Sequence, residues 1–224
     1  MNPASATVAL SGRERLLSAA LRLGARNRSI ASLGLRELAR EAGMHHTAIY
    51  RHFSSIEEVA EGLVGLLSKQ LRADLRAARR GASQNLAELI RASTERYFAY
   101  IGEHPQGVIF CAREIHGALP ALRSALQGLL DDFAADSAAD LQGLEIGQAL
   151  NNDHDLLTLT RLVAHHNLFA ALDYLEPDAD RERVVERAVR FTQWLVAGAL
   201  QTAAAPGGFN PGSHPTWARS GAGP

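Results

Sequence analysis

Cysteine is almost missing from this chain. Of 224 residues only Cys111 carries a thiol, so no internal disulfide can form, and the composition suits a reducing compartment. Long apolar runs are missing too. No stretch of about 18 uncharged apolar residues occurs, which excludes a transmembrane helix. Residues Met1–Ser11 lack the basic segment and apolar core of a secretory leader, so a cytoplasmic location is expected. Lysine is reduced to Lys69 among 23 basic residues, a bias expected of GC-rich coding and given no chemical meaning. Alternating β-branched runs are absent, which leaves no signal for a sheet. There is no Gly-rich phosphate loop, no nucleophile–base pairing and no close carboxylate pair in a catalytic setting, so an enzyme is not expected, nor a cofactor.

Good helix formers fill the chain instead: Ala, Leu, Arg and Glu. The pattern predicts an all-α protein of about nine helices. Four short or amphipathic helices come first, at about Arg13–Leu23, Leu35–Glu41, His46–Phe53 and from Ser55 towards Arg79. Gly24 is read as the stop of the first. Five more are expected near Gln84–Glu103, Gln106–His116, Ala121–Leu141, Asp153–Leu175 and Asp178–Thr202. Pro105, Pro120 and Pro177 stand at their boundaries, where proline is tolerated. The division expected is a head over residues 1–54, a body over 55–204 and a loosely docked tail over 205–224, rich in Gly and Pro.

Charge separates head from body. Residues 1–80 carry 13 Lys and Arg against 7 Asp and Glu, whereas residues 81–224 carry 10 against 17, so a net charge of −1 hides a basic first third. A basic head on an acidic body suits a polyanion-binding module joined to a unit with another task. Within the head, Leu35–Glu41, a break at Gly43 and a short following helix form a helix-turn-helix pattern. Ile49 and Phe53 fall on the inner face of the second helix, and His46, Thr47, Tyr50 and Arg51 on the outer one. Such a helix enters the major groove, where His46 and Thr47 are placed for base edges and Arg51 for a guanine or a phosphate. Arg36 and the first amides of the preceding helix are candidates for backbone phosphates. Arg13 and Arg15 are read equally as DNA contacts or as solvated. His45, His46 and His52 lack the spacing of a helical zinc site, and no metal is expected there.

The run Leu35-Arg36-Glu37-Leu38-Ala39-Arg40-Glu41-Ala42-Gly43-Met44, followed by Thr47-Ala48-Ile49-Tyr50-Arg51-His52-Phe53, resembles the DNA-binding head of the TetR family of bacterial transcriptional repressors. The resemblance covers roughly residues 12–65. It implies a homodimer with a helix-turn-helix head and a helical ligand-binding and dimerisation body. It also implies phosphate contacts for Tyr50 and His52 and adds His45 to the DNA-facing set. Ile56 stands where many members carry Lys, and Gly34 where many carry Ser or Thr.

A second resemblance concerns the body. Phe98-Ala99-Tyr100-Ile101-Gly102-Glu103-His104-Pro105 with Arg113-Glu114, added to the head motif, looks like the branch that represses unsaturated fatty-acid synthesis genes and senses long-chain acyl thioesters. It implies an elongated apolar pocket with a cationic mouth. Candidate lining residues are Tyr97, Tyr100, Ile101, Ile109, Phe110, Phe133 and Phe169, with Arg113 and His116 at the mouth. The last two helices carry broad apolar faces and are expected to pair with their twins in a four-helix bundle. The expected function is a dimeric repressor of an operator in double-stranded DNA, tuned by a small apolar ligand. A long-chain acyl thioester is one reading. Repression of efflux or catabolic genes in response to an unrelated aromatic or apolar compound is the other.

Overall fold

The computed structural model describes residues 10–26, 29–81, 85–150 and 153–204; the expected tail lies outside them. Helix α1 (Gly12–Ala25) opens on a reciprocal cap. Ser11 Oγ accepts from the Glu14 amide at 3.2 Å, and the Glu14 carboxylate accepts from the Ser11 amide at 2.8 Å. These bonds satisfy two of the donors that a helix start leaves open. They also hold the Glu14 carboxyl below the ordinary range. Helix α1 does not stop at Gly24. The missing side chain there instead admits the Phe110 ring, which would stand 3.3 Å from a Cβ. A 3-10 turn (Ile30–Ser32) leads to α2 (Leu35–Glu41), whose bounds match the sequence reading.

The third expected helix is a correction. Residues His46–Phe53 form turns around a single 3-10 turn at Ile49–Arg51. Local bonds compete with the α-helical ladder here. His45 Nδ1 meets Thr47 Oγ1 at 2.8 Å, and amides 48, 51 and 52 bond three residues back. The β-branched Thr47 and Ile49 do not favour an α-helix either.

The body begins with α3 (Ile56–Gly81), followed by α4 (Leu86–Glu103), α5 (Pro105–Glu114) and α6 (Pro120–Leu141). A short α7 (Glu145–Ala149) precedes the long α8 (Asp153–Leu175) and α9 (Arg181–Ala204). The described residues thus hold nine α-helices, the number expected, but the membership differs. The His46–Phe53 segment drops out, and α7 enters, with Ile146 fully buried in one cluster with Ile90, Leu156 and Val189. Among these elements no helix is long and apolar enough to cross a membrane.

One core joins head and body. Leu16, Leu38, Ile49 and Phe53 are continuous with Val59, Leu63, Phe98, Phe110, Ile115 and Leu126. The boundary expected at residue 54 falls in the turn before α3, and this packing runs straight through it. Helix α5 is the bridge, packed on α1 along one side and on α8 along the other.

Charged pairs tie the body's layers. The Arg72 guanidinium grips Asp136 with two bonds of 2.7 and 3.0 Å and reaches Asp132 at 3.0 Å, while Arg76 adds a bond of 2.8 Å to Asp136. Asp131 pairs with Arg161 at 2.8 Å. The Asp131–Asp132 pair, which the sequence presents as a solvated face, therefore stays half-exposed yet clasps two neighbouring helices.

The Arg72 bonds hold the Asp136 carboxyl below its ordinary pKa. That stabilisation is complete above the unfolded value of about 3.9 and is lost as pH falls through the lowered native value. Asp136→Asn is expected to cost roughly 1–3 kcal/mol at pH 7. Its deficit relative to the natural chain should shrink on acidification, as urea titrations at pH 7 and pH 3 will measure.

Candidate functional site

The turn between α2 and the recognition segment sets the head's outer surface. Gly43 sits at φ 64°, the left-handed conformation that glycine adopts at least cost. The Gly43 amide donates to Arg40 O at 3.0 Å and the Met44 amide to Ala39 O at 2.8 Å, the paired bonds that close a helix C-terminus. The chain then turns sharply, and Ile49 and Phe53 drop into the core. Arg36, His45, His46, Thr47, Tyr50, Arg51 and His52 are all left exposed, Tyr50 by 56%. The His45 and His46 rings lie 4.3 Å apart. No group of three His, Cys, Asp or Glu side chains among the described residues is arranged to hold a metal.

The head's arginines divide into two sets. Arg13 lies over the Phe53 ring at 5.1 Å, and Arg15 donates to the carbonyls of Ala42 and Gly43 at 2.7 and 3.1 Å. Both belong to α1 and brace the turn from behind. Arg22 and Arg26 pair with Glu41. Among the described residues, the guanidinium groups of Arg36, Arg40 and Arg51 enter no such bond and face outward. This surface offers cations, imidazoles and a phenol at helix-turn-helix spacing.

A cavity of about 190 Å³ occupies the body between α3, α4, α5, α6, α8 and α9. Tyr97, Tyr100 and Phe133 line it, together with residues not expected there, among them Ser93, Cys111 and Asn167. No charged side chain lines it among the described residues. Burial pushes the Cys111 thiol up to about 12 and raises the Tyr97 phenol well above its ordinary range.

The other expected lining residues lie elsewhere. Ile101 is wholly buried in the core, and Phe110 turns from the cavity to fill the space beside Gly24. Ile109 is half-buried away from the wall, His116 is exposed, and Phe169 is 44% exposed on α8. Arg113 is no cationic mouth: it points at the head and donates to the carbonyls of Gly24 and Ala25 at 3.5 and 3.2 Å, at the end of α1.

Beside it, Glu114 is 3% exposed and accepts from the Ile30 amide at 2.9 Å and from Ser29 Oγ at 3.3 Å. One face of α5 thus walls the cavity with Gly107, Val108 and Cys111, while the next holds the head. In the sequence Glu114 is marked only as the neighbour of Arg113 in the second resemblance.

On α8 and α9, the apolar side chains of Leu162 (52% exposed), Phe169 and Trp194 (67%) are left exposed. His166 stacks on Phe191 at 3.7 Å, and burial followed by the Arg187 charge lowers its pKa.

Comparison with known proteins agrees with this layout. Residues 16–63 match the sequence model of the bacterial regulatory proteins, tetR family. A transcriptional regulator of that family from Syntrophomonas wolfei superposes with a TM-score of 0.70 at 13% identity, over 83% of this chain and 95% of its own. A transcriptional regulator from Rhodococcus sp. Rha1 gives 0.66 at 20% identity, over 88% and 100%. The fatty acid degradation regulator FadR from Bacillus halodurans gives 0.63 at 13% identity, over 82% and 95%. The chain has the fold of TetR-family transcriptional regulators, and its residues 16–63 match that family's sequence model.

The two sets of arginines should behave differently. Arg15→Ala removes two bonds that close α2 and is expected to lower the melting temperature by several degrees. Arg36→Ala and Arg51→Ala are expected to leave it within about a degree, as for exposed unpaired side chains. Differential scanning calorimetry of the three variants will read this.

Proposed function

We propose that this protein is a dimeric transcriptional repressor that binds operator DNA through the Arg36–His52 surface and releases or gains it as a small apolar molecule occupies the body cavity. The observation that carries the reading is the sorting of the head. The apolar side chains of its turn are buried, the structural arginines are consumed behind it, and every residue expected at DNA faces out. Tyr50, Arg51 and His52 supply phosphate contacts, and His46 and Thr47 lie nearest the base edges. Because the segment is a 3-10 turn rather than a full helix, groove insertion is accompanied by its lengthening, which DNA contacts would drive.

Dimerisation supplies the second half of the DNA site. The α8 and α9 surface carrying Leu162, Phe169 and Trp194 is the apolar face available for a two-fold bundle. Two heads held about 34–36 Å apart read successive turns of one face of the duplex. Coupling runs through α5, whose cavity-facing and head-holding residues alternate within ten positions. A ligand that shifts α5 moves the grip of Glu114 and Arg113 on the head, and it changes DNA affinity only by its differential binding to the two arrangements.

Between the two ligand readings, the cavity favours an uncharged apolar or aromatic compound, in keeping with control of efflux or catabolic genes. An acyl thioester would find apolar walls for its chain but no cation among the described lining residues for its phosphates. The likeness to FadR is one of fold.

Selection from a random duplex library should yield a two-fold-symmetric sequence. Fluorescence anisotropy on that sequence should show affinity falling steeply with salt. Tyr50→Ala is expected to weaken binding at least about tenfold without altering the melting curve, and Arg51→Ala to reduce the salt slope by about one. Native mass spectrometry should find a dimer that Trp194→Glu splits. A salt-independent affinity or a monomer would sink the reading.

A further inference from the structure

The proposed regulatory reading leaves the cavity's occupant without chemistry beyond its apolar character; the polar atoms of the wall narrow it. Three of its hydroxyls are already spent. The Thr160 hydroxyl bonds to the carbonyls of Ala134, Leu156 and Leu157 at 2.9–3.1 Å, and the Thr192 hydroxyl to Ala188 O at 3.1 Å. Tyr97 gives its only donor to the main-chain carbonyl of Asn167 at 3.2 Å. That bond joins α4 to α8 across the cavity and fixes the local geometry.

Two further atoms are buried and unpartnered. Ser93 Oγ, one turn before Tyr97 on α4, and Asn167 Oδ1, on the residue Tyr97 bonds, are both buried with no hydrogen-bond partner. Both residues belong to the cavity wall. A buried polar atom without a partner costs enough that nearly all are satisfied in folded proteins. Both residues adjoin the Tyr97–Asn167 bond, one on α4 and one on α8, in a wall that also carries Thr94, Tyr100 and Ser137.

We infer that the cavity binds a neutral, compact ring compound bearing one hydroxyl or amide N–H group, which donates to Asn167 Oδ1 and accepts from the Ser93 hydroxyl. This rests on the reading of the cavity as the regulatory site and gives it a ligand class. Asn167 Oδ1 can only accept, so the ligand must bring a donor. Ser93 can donate, which a hydroxyl or amide oxygen answers. A carboxylate or phosphate brings no donor at neutral pH, meets a carbonyl oxygen where it needs a cation, and leaves water for a wall without charge. Size sets the rest. An apolar cavity of about 150 Å³ holds a benzene ring, so one of about 190 Å³ suits a molecule of one to two rings.

Three probes that share one skeleton test this: 2-naphthol, naphthalene and 2-naphthoate. Isothermal titration of the full-length protein at pH 8 should show one 2-naphthol per chain, with naphthalene and 2-naphthoate each at least about tenfold weaker. Asn167→Leu keeps the bulk and removes the acceptor, so it should bring 2-naphthol down to the affinity of naphthalene while leaving naphthalene unchanged. Ser93→Ala should reduce the same preference and stands in should Asn167→Leu not fold. Equal affinity for 2-naphthoate, discrimination unaltered in both variants, or no 2-naphthol binding would overturn the inference. Operator affinity measured with and without 2-naphthol separates the two levels. The expected preference with unchanged DNA binding supports the ligand class and sinks the regulatory reading. Altered DNA binding by all three probes alike does the reverse.

Discussion

The architecture depends on one buried carboxylate. Glu114, near the C-terminal end of α5, reaches out of the body to the Ile30 amide and the Ser29 hydroxyl, at the start of the segment that leads into α2. Gly117 leaves it room, since a Cβ there would fall 2.3 Å from the carboxylate oxygen. Removing this acceptor would strand a buried backbone donor. Around it the Phe110–Gly24 contact and the Arg113 bonds to α1 make a composite joint, so the head is packed on the body rather than tethered by a linker.

That joint gives the cavity its leverage. Helix α5 is ten residues long and has few ways to move. A guest pressing on Gly107, Val108 or Cys111 acts on the element whose adjacent face holds Ile30 and the end of α1. Close packing makes small displacements discrete rather than graded, because a well-filled core passes strain on instead of absorbing it. The Arg72–Asp136 clasp ties α3 to α6, two other helices of the cavity wall.

Much of this was legible in the residues. The helices α2 and α8, the proline boundaries and the exposure of Arg36, His45, His46, Thr47, Tyr50, Arg51 and His52 follow from local pattern. What local pattern misses is set by tertiary partners. The recognition segment looks helical by composition, yet His45 and Thr47 bond to each other and shorten it. Arg13 and Arg15 are indistinguishable in sequence from Arg36 and Arg51; only the positions of Phe53 and Gly43 separate them. In the body, aromatic residues on helices promise a pocket, and three of those expected do line one. The rest serve the core, the joint or the outer surface, because periodicity alone does not say which neighbour a buried face meets. Ser93 and Asn167 gave no signal, since an isolated polar residue in a helix reads as solvated until the opposite wall is known.

Cys111 has a consequence of its own. It is the chain's only thiol, it stands in the cavity wall, and its proton is held far above neutral pH. Thiols react as thiolates, so the raised pKa slows its reaction with oxidants and alkylating agents. Each transient admission of water would raise its reactivity. The protein therefore carries a built-in chronometer: the rate at which a thiol reagent marks this single atom counts how often the chamber breathes, and a guest that seals the chamber would slow the clock.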